Sequence, residues 1–392
     1  MESLENEIRT QFITLFHKEP LLIRSPGRIN LIGEHTDYND GFVMPAAIDK
    51  QIIFAIAPSD TATSSVYAMK YNQQFTLDVG NPKKVKDPAW ANFLLGILHQ
   101  LKEGDKPVQH FNCVFGGDVP LGAGLSSSAA LECGFAFALN ELNQLNIPKM
   151  QLIKMAQWAE HHYAGVMCGI MDQFATVMGK EGHVIVLDCR SLTHRYSPID
   201  LKDYTIILCD TKVKHSLVDS EYNTRRQECE TGVRLLKMYY PEITSLRDVS
   251  TDMLNKHKGE LPGKVYNRCS YVVGEIDRVQ KASRDLEQGD LKAFGKKMYE
   301  THEGLSALYE VSCEELDFLV EEAKKFDTVL GSRMMGGGFG GCTINIVRKD
   351  AAENFTRHLT KVYKQTFHID LATYTVKIKE GTSVLTKSTS LA

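Results

Sequence analysis

The chain has 392 residues, 43% hydrophobic and 24% charged, with 45 Lys and Arg against 49 Asp and Glu for a net charge of −4. That length exceeds what one hydrophobic core usually serves, so two domains are expected, and the composition excludes a disordered, collagenous or membrane chain. The mild acidic excess, without a long basic run, argues against a general nucleic-acid binder.

In chain order, apolar spacing predicts an amphipathic helix over Leu4–Phe16, then a short strand, Leu21–Arg24, broken at Ser25-Pro26-Gly27. Gln51–Ala57 reads as a strand and Thr61–Leu77 as a hairpin region. Ser126–Leu145 is too apolar all round for a surface helix and is expected to be buried. Leu152, Met155, Ala156, Ala159 and Tyr163 recur at helical spacing, giving a helix up to Ala164. His183–Leu187 and Tyr204–Cys209 are short β-rich strands. Beyond about residue 215 the pattern is mostly helical, over Glu221–Tyr240, Tyr266–Gln288, Leu291–Leu308 and Glu314–Lys325, before two closing strands at Cys342–Val347 and Thr373–Ile378. Clustering rather than strict alternation of strands and helices predicts an α+β fold. The boundary is placed near residues 195–205, giving domains 1–200 and 201–392 that pack intimately.

No signal peptide is visible in Met1–Pro20, and no apolar stretch approaches the roughly 18 residues of a membrane span. The nine cysteines form no close pair, which fits buried thiols in a reducing cytoplasm better than disulfides or a CxxC metal site. A cytoplasmic protein without membrane or nucleic-acid partners is expected.

Three segments are unusual. The first, Pro26-Gly27-Arg28-Ile29-Asn30-Leu31-Ile32-Gly33-Glu34-His35-Thr36-Asp37-Tyr38-Asn39, delivers the chain through a glycine into a polar and aromatic run. Glu34, His35 and Asp37 are suited to clamping a polyhydroxylated ligand, although a solvated turn has the same composition. The second, Pro120-Leu121-Gly122-Ala123-Gly124-Leu125-Ser126-Ser127-Ser128-Ala129, leads into the buried helix, whose first turn suits a phosphate. The chain contains no GxxxxGK[ST] loop, and an ordinary capped helix is the alternative. The third, Arg333-Met334-Met335-Gly336-Gly337-Gly338-Phe339-Gly340-Gly341-Cys342, formally contains GxGxxG. It is expected to follow a helical region and precede a strand, the reverse of a dinucleotide site, so it packs against either another loop or a bound phosphate.

A quieter constellation lies at Glu160 and Cys168-Gly169-Ile170-Met171-Asp172-Gln173. An acid in so apolar a stretch needs a partner or a reaction to serve, unless it reaches solvent. His161 and His162 stand beside Glu160 without the register of a zinc site.

In this order the segments GRINLIGEHTDYN, PLGAGLSSSA, CGIMDQF, HSLVDSEYNTRR and RMMGGGFGGC resemble the galactokinases of the GHMP small-molecule kinase family, over nearly the whole chain. GLSSSA and GGGFGG match the wider superfamily, whereas GEHTDYN with CGIMDQ is specific to the galactokinase branch. The resemblance implies a two-domain GHMP kinase fold with the active site between the domains, the second domain carrying a ferredoxin-like sheet. It implies ATP-dependent phosphorylation of D-galactose at the 1-hydroxyl, giving galactose 1-phosphate and ADP, the first committed step of the Leloir route. Glu34, His35, Thr36 and Asp37 would hold the sugar, with Gly169 and Tyr222 nearby. Asp172 aligns with the base, and Arg28 with the residue that keeps it ionised and stabilises developing charge. Gly122-Ala123-Gly124-Leu125-Ser126-Ser127-Ser128 aligns with the triphosphate site, together with Gly336, Gly337 and Gly338. Trp90 and Phe93 match positions near the adenine, while Ser128 and Glu160 correspond to Mg²⁺ ligands. Phosphoryl transfer needs positioning and charge neutralisation more than covalent chemistry, and Mg²⁺ takes few protein ligands beside phosphates and water. A monomer is expected. One departure stands out: galactokinases usually read Met-Thr-Gly where this chain has Met334-Met335-Gly336.

Overall fold

The structure, a computed structural model, describes residues 3–214 and 218–386; the opening His215–Leu217 of HSLVDSEYNTRR lies outside the described residues. The apolar run QIIFAIA belongs to a longer strand, Pro45–Pro58, in which Ile52 to Ala57 are all buried. A strand apolar on both faces needs cover on both. The helix Leu4–Phe16 covers one face with Ile8 and Phe12 against Ile53 and Ala55, and the helix Ser127–Leu142 packs on the other. That second helix is buried nearly all round, as its composition predicts. Around Pro45–Pro58 forms a six-stranded sheet with Leu21–Asn30 and Ser383–Thr386 on one side and Phe111–Gly117, Ser64–Ala68 and Gln73–Leu77 on the other.

The strand at Leu21 does not break at Pro26-Gly27 as expected. It runs to Asn30 through a register shift between Pro26 and Arg28, so the proline and glycine mark a bulge. Bulging turns the end of the strand toward the loop at Leu125: a Cβ on Gly27 would sit 2.8 Å from the Leu125 carbonyl oxygen, and Arg28 N–H donates to that oxygen at 3.2 Å.

The later half carries a four-stranded antiparallel sheet ordered Val329–Met334, Gly340–Arg348, Tyr204–Lys214 and Ala372–Val376. Helices Glu314–Lys324 and Ala352–Phe367 cover one face through Leu319, Phe355 and Leu359. The other face, through Ile206, Leu208 and Ile344, joins the same continuous core as the first sheet. A separate cluster holds the helices Val218–Leu236 and Gly263–Glu287 together. The strand Ser383–Thr386 returns from the four-stranded sheet to pair with Leu21–Asn30 in the six-stranded one. Among the described residues, one strand pair is parallel, Ser65–Ala68 beside Asn112–Phe115, and the others are antiparallel, as befits an α+β fold.

The glycine-rich segment does not follow a helix. It connects two antiparallel strands, Val329–Met334 and Gly340–Arg348, as a hairpin loop. The preceding strand, VLGSRM, was hidden by its brevity, its glycine and the helix just upstream.

Candidate active site

Arg28 leaves the bulged strand with its side chain buried and meets Asp172, in the first turn of the helix Met171–Met178. Its Nε donates to Asp172 Oδ1 and its Nη2 to Oδ2, each at 2.7 Å, while Nη1 reaches the Gly124 carbonyl oxygen at 2.6 Å. A planar guanidinium fork fixes a carboxylate in orientation as well as charge.

Beyond Arg28 the chain folds tightly. Gly33, at φ +101°, donates its N–H to buried Glu275 at 2.9 Å, and His35 adopts a left-handed φ of +62°. These turns bring Glu34, His35 and Asp37 to the wall of a cleft of about 170 Å³, shared with Asp172, Tyr222 and Gly337. Glu34 also takes an Arg333 guanidinium N–H at 3.0 Å and the Gly336 N–H at 2.9 Å, tying this loop to the glycine hairpin. His35 packs against the Tyr38, Tyr222 and Tyr309 rings, and burial pushes its imidazole down to about 3, so it is neutral at physiological pH. Burial, then the negative charges of Asp172 and Glu34, push the Asp37 carboxyl up to about 7. Gly169 stands directly behind Asp37: a Cβ there would lie 1.9 Å from Asp37 Oδ2, so no other residue leaves this carboxylate its place.

A second cavity, of about 160 Å³, opens beside the first. Trp90, Phe93, Tyr71 and Leu131 give it apolar walls, and Ser127 and Ser128 reach its edge from the helix N-terminus. Flat aromatic surfaces beside helix N–H groups suit a nucleotide, base on one side and phosphates on the other. At the join of the cavities Ser128 Oγ donates to Glu160 Oε1 at 2.9 Å, and Gln173 donates to Glu160 Oε2 at 2.7 Å. Glu160 opens a one-turn π-helix, Glu160–Ala164, at the end of the helix Lys149–Ala159, a distortion common at functional sites. Burial and the charge of Asp172 raise its carboxyl to about 7, and burial holds the neighbouring Glu132, one turn after Ser128, well above the usual carboxylate range.

Residues 10–58 match the family model of the galactokinase galactose-binding signature, residues 92–180 the N-terminal domain of GHMP kinases, and residues 282–365 their C-terminal domain. The chain is 39% identical to a galactokinase of Roseiflexus sp. over 96% of each chain. It is also 39% identical to a Thermotoga maritima galactokinase, covering 92% of this chain and 98% of that one. This chain belongs to the galactokinases, within the GHMP kinases. Lactococcus lactis galactokinase, solved in complex with galactose, superposes with a TM-score of 0.93 at 32% identity, covering 98% of this chain and all of the other.

Most residues singled out by the galactokinase motifs meet at these two cavities, and several take a different place from the one expected. Thr36 is fully buried and does not line the cleft; its hydroxyl donates to the Gly33 and Phe42 carbonyls at 2.9 and 2.7 Å, closing the loop that presents its neighbours. Ala123 and Leu125 are buried in the main core and line neither cavity. Gly338 faces Val311, whose carbonyl oxygen would lie 2.2 Å from an added Cβ, while Gly336 and Gly337 line the cleft. Ser126 does not cap its helix; its hydroxyl donates to Asp172 Oδ2. Arg333, fully buried, also donates to the Leu31 and Asn30 carbonyls, a role that nothing in its sequence surroundings announces.

Proposed function

We propose that this galactokinase transfers the γ-phosphoryl group of ATP to the 1-hydroxyl of D-galactose, giving galactose 1-phosphate and ADP. The carrying observation is the position of Asp172. Its carboxylate lines the acidic cleft, and Arg28, which grips it, also holds the carbonyl of Gly124 in the loop beside the nucleotide cavity. Glu34 and Asp37 accept hydrogen bonds from sugar hydroxyls, and neutral His35 contributes a group that gives or takes one. Asp172 takes the proton of the attacking hydroxyl or orients it, while Arg28 stabilises negative charge developing between the oxygens. Ser127 and Ser128, at the N-terminus of their helix, offer backbone N–H groups to the phosphates. Trp90 and Phe93 flank the base.

Mg²⁺, arriving with ATP, is the cation this site suits. Ser128 and Glu160 are oxygen donors facing each other where the cavities join, and they would hold it. Among the described residues no group of three or more His, Cys, Asp or Glu could bind a metal alone, so phosphates and water would complete its shell. When bound, the cation neutralises phosphate charge.

We further infer domains 1–200 and 201–392 with the site between them, action as a monomer, and a cytoplasmic location. The location is supported by nine free cysteines, seven of them buried, and by the lack, among the described residues, of a helix able to cross a membrane. ADP release by purified protein with ATP, Mg²⁺ and galactose tests the activity. Galactose-dependent ADP with a matching sugar phosphate supports it; ADP release indifferent to galactose overturns it.

A further inference from the structure

The loop Gly122–Ser128 holds a residue that breaks its own pattern. Gly122 and Gly124 take left-handed backbone angles, φ +74° and +72°, as glycine does without steric cost. Ser126 takes the same conformation, φ +55° and ψ +53°, although it carries a Cβ. A serine heading a helix ordinarily stays extended and turns its hydroxyl back onto the first-turn N–H groups. Here the first intrahelical bond runs from Ala130 N to the Ser126 carbonyl oxygen, and the Ser126 side chain makes no cap. The left-handed turn instead sends Oγ to Asp172 Oδ2, 46 residues along the chain. Asp172 Oδ2 therefore receives two donors, Ser126 Oγ and Arg28 Nη2, and Oδ1 receives Arg28 Nε.

We infer that Ser126 is a positioning residue for the proton-accepting carboxylate, holding Asp172 from the nucleotide side while Arg28 holds it from the strand. The observations converge on the hydroxyl. A strained non-glycine conformation persists where its surroundings over-determine it, and such residues gather at functional sites. Glycine would remove the strain at this position, as it does twice elsewhere in the loop, but could not reach Asp172. Leaving the helix uncapped also leaves its first N–H groups to the phosphates. One residue thus frees the phosphate-binding end of the helix and ties the loop that carries it to the base. This inference rests on the reading of Asp172 as the proton acceptor.

Ser126→Ala and Ser126→Gly both remove the hydroxyl, but alanine keeps the backbone strain and glycine relieves it. Both are expected to lower kcat by about ten- to a hundredfold, the worth of one hydrogen bond to a charged group, with KM for ATP and for galactose within about twofold of the parent. The double variant Ser126→Ala with Asp172→Asn should be no slower than Asp172→Asn alone, because residues acting through one group are not additive. Recovery of parental kcat by Ser126→Gly alone would assign the alanine loss to backbone strain and overturn the inference. So would a rise in KM for ATP at unchanged kcat, which would make Ser126 a nucleotide contact. If Asp172→Asn itself turns over normally, the reading of Asp172 fails. If that variant is inactive while both Ser126 variants keep parental kcat, only the role of Ser126 fails.

Discussion

Arg28 and Asp172, 144 residues apart in the chain, meet as a two-pronged pair with both N···O distances at 2.7 Å, and the remaining guanidinium prong holds Gly124 at 2.6 Å. The arginine side chain is almost fully buried, whereas that of Asp172 keeps 25% of its exposure on the cleft side. A carboxylate held this way keeps its orientation toward the cleft, and in the proposed reaction the adjacent positive charge meets the negative charge that forms at the reacting oxygen.

From this follows the first prediction. Asp172→Asn keeps the size and most hydrogen bonds of the side chain but cannot take a proton. The variant is expected to fold, with unchanged circular dichroism, and to lose at least about a hundredfold in kcat, the low end of a general base's contribution. Near-normal turnover by the folded variant would remove Asp172 from the chemistry.

Asp37 is buried at a cost in stability. Its carboxyl is pushed up from the ordinary 3.8 to about 7, first by burial and then by the charges of Asp172 and Glu34. Between those values the folded protein holds a proton that the unfolded chain releases, so this contribution is present at low pH and is lost as pH rises through 7. Asp37→Asn cannot ionise. It should therefore exceed the parent in stability by about 1–3 kcal/mol at pH 8, with the gap closing toward pH 4. Urea midpoints at the two pH values check the sign. Calorimetry should show Asp37→Ala losing on the order of 1.5–3 kcal/mol of galactose affinity with ATP affinity nearly unchanged. Equal weakening of both ligands would make Asp37 structural.

The sequence discloses this fold where burial is local. Ile52–Ala57 and the helix after Ser126 are apolar on every side, and each is buried on every side in the structure. It misleads where a local signal has a distant cause. Pro26-Gly27 reads as a strand end, but the bulge there is stabilised by Leu125, a residue about a hundred positions away. Val329–Met334 is recognisable as a strand only through its partner beyond the glycine loop. The proposed site residues were legible as motif members, since the glycine and serine runs mark the wider superfamily and GEHTDYN with CGIMDQ marks the galactokinases. What each side chain does was not. Thr36 and Ser126 sit inside binding motifs, yet one closes a turn and the other reaches Asp172, because partners far along the chain determine both outcomes.

Arg333 joins the glycine hairpin to the loop that carries Glu34. It is fully buried and donates to Glu34 and to the carbonyls of Leu31, Asn30 and Met334. Replacing one partner of a buried pair leaves the other charge without compensation, so Arg333→Met should cost about 3–5 kcal/mol of stability. Galactose affinity should fall as well, since Glu34 would keep the Gly336 N–H but lose its guanidinium partner. A urea midpoint within about 0.5 kcal/mol of the parent would show that the latch carries little energy.

Met335 stands where galactokinases usually carry threonine, and its position decides between two consequences. A threonine hydroxyl facing the triphosphate would add a bond worth roughly 1.5 kcal/mol, or about tenfold in kcat/KM for ATP. Met335 is 1% exposed, however, and belongs to the main core, with its N–H on the Cys342 carbonyl at 3.0 Å. Its carbonyl, not its side chain, is what Gly124 approaches: a Cβ on that glycine would lie 3.1 Å from the Met335 oxygen. The thioether side chain therefore fills space behind the loop, a task that flexible methionine performs well. Met335→Thr should leave kcat/KM for ATP within about twofold and lower stability by about 1–3 kcal/mol, through lost packing and a buried hydroxyl. Kinetics and the urea midpoint on the same preparation test both halves. A tenfold kinetic gain without destabilisation would mean that the side chain at 335 reaches the phosphates after all, and that the loop moves when nucleotide binds.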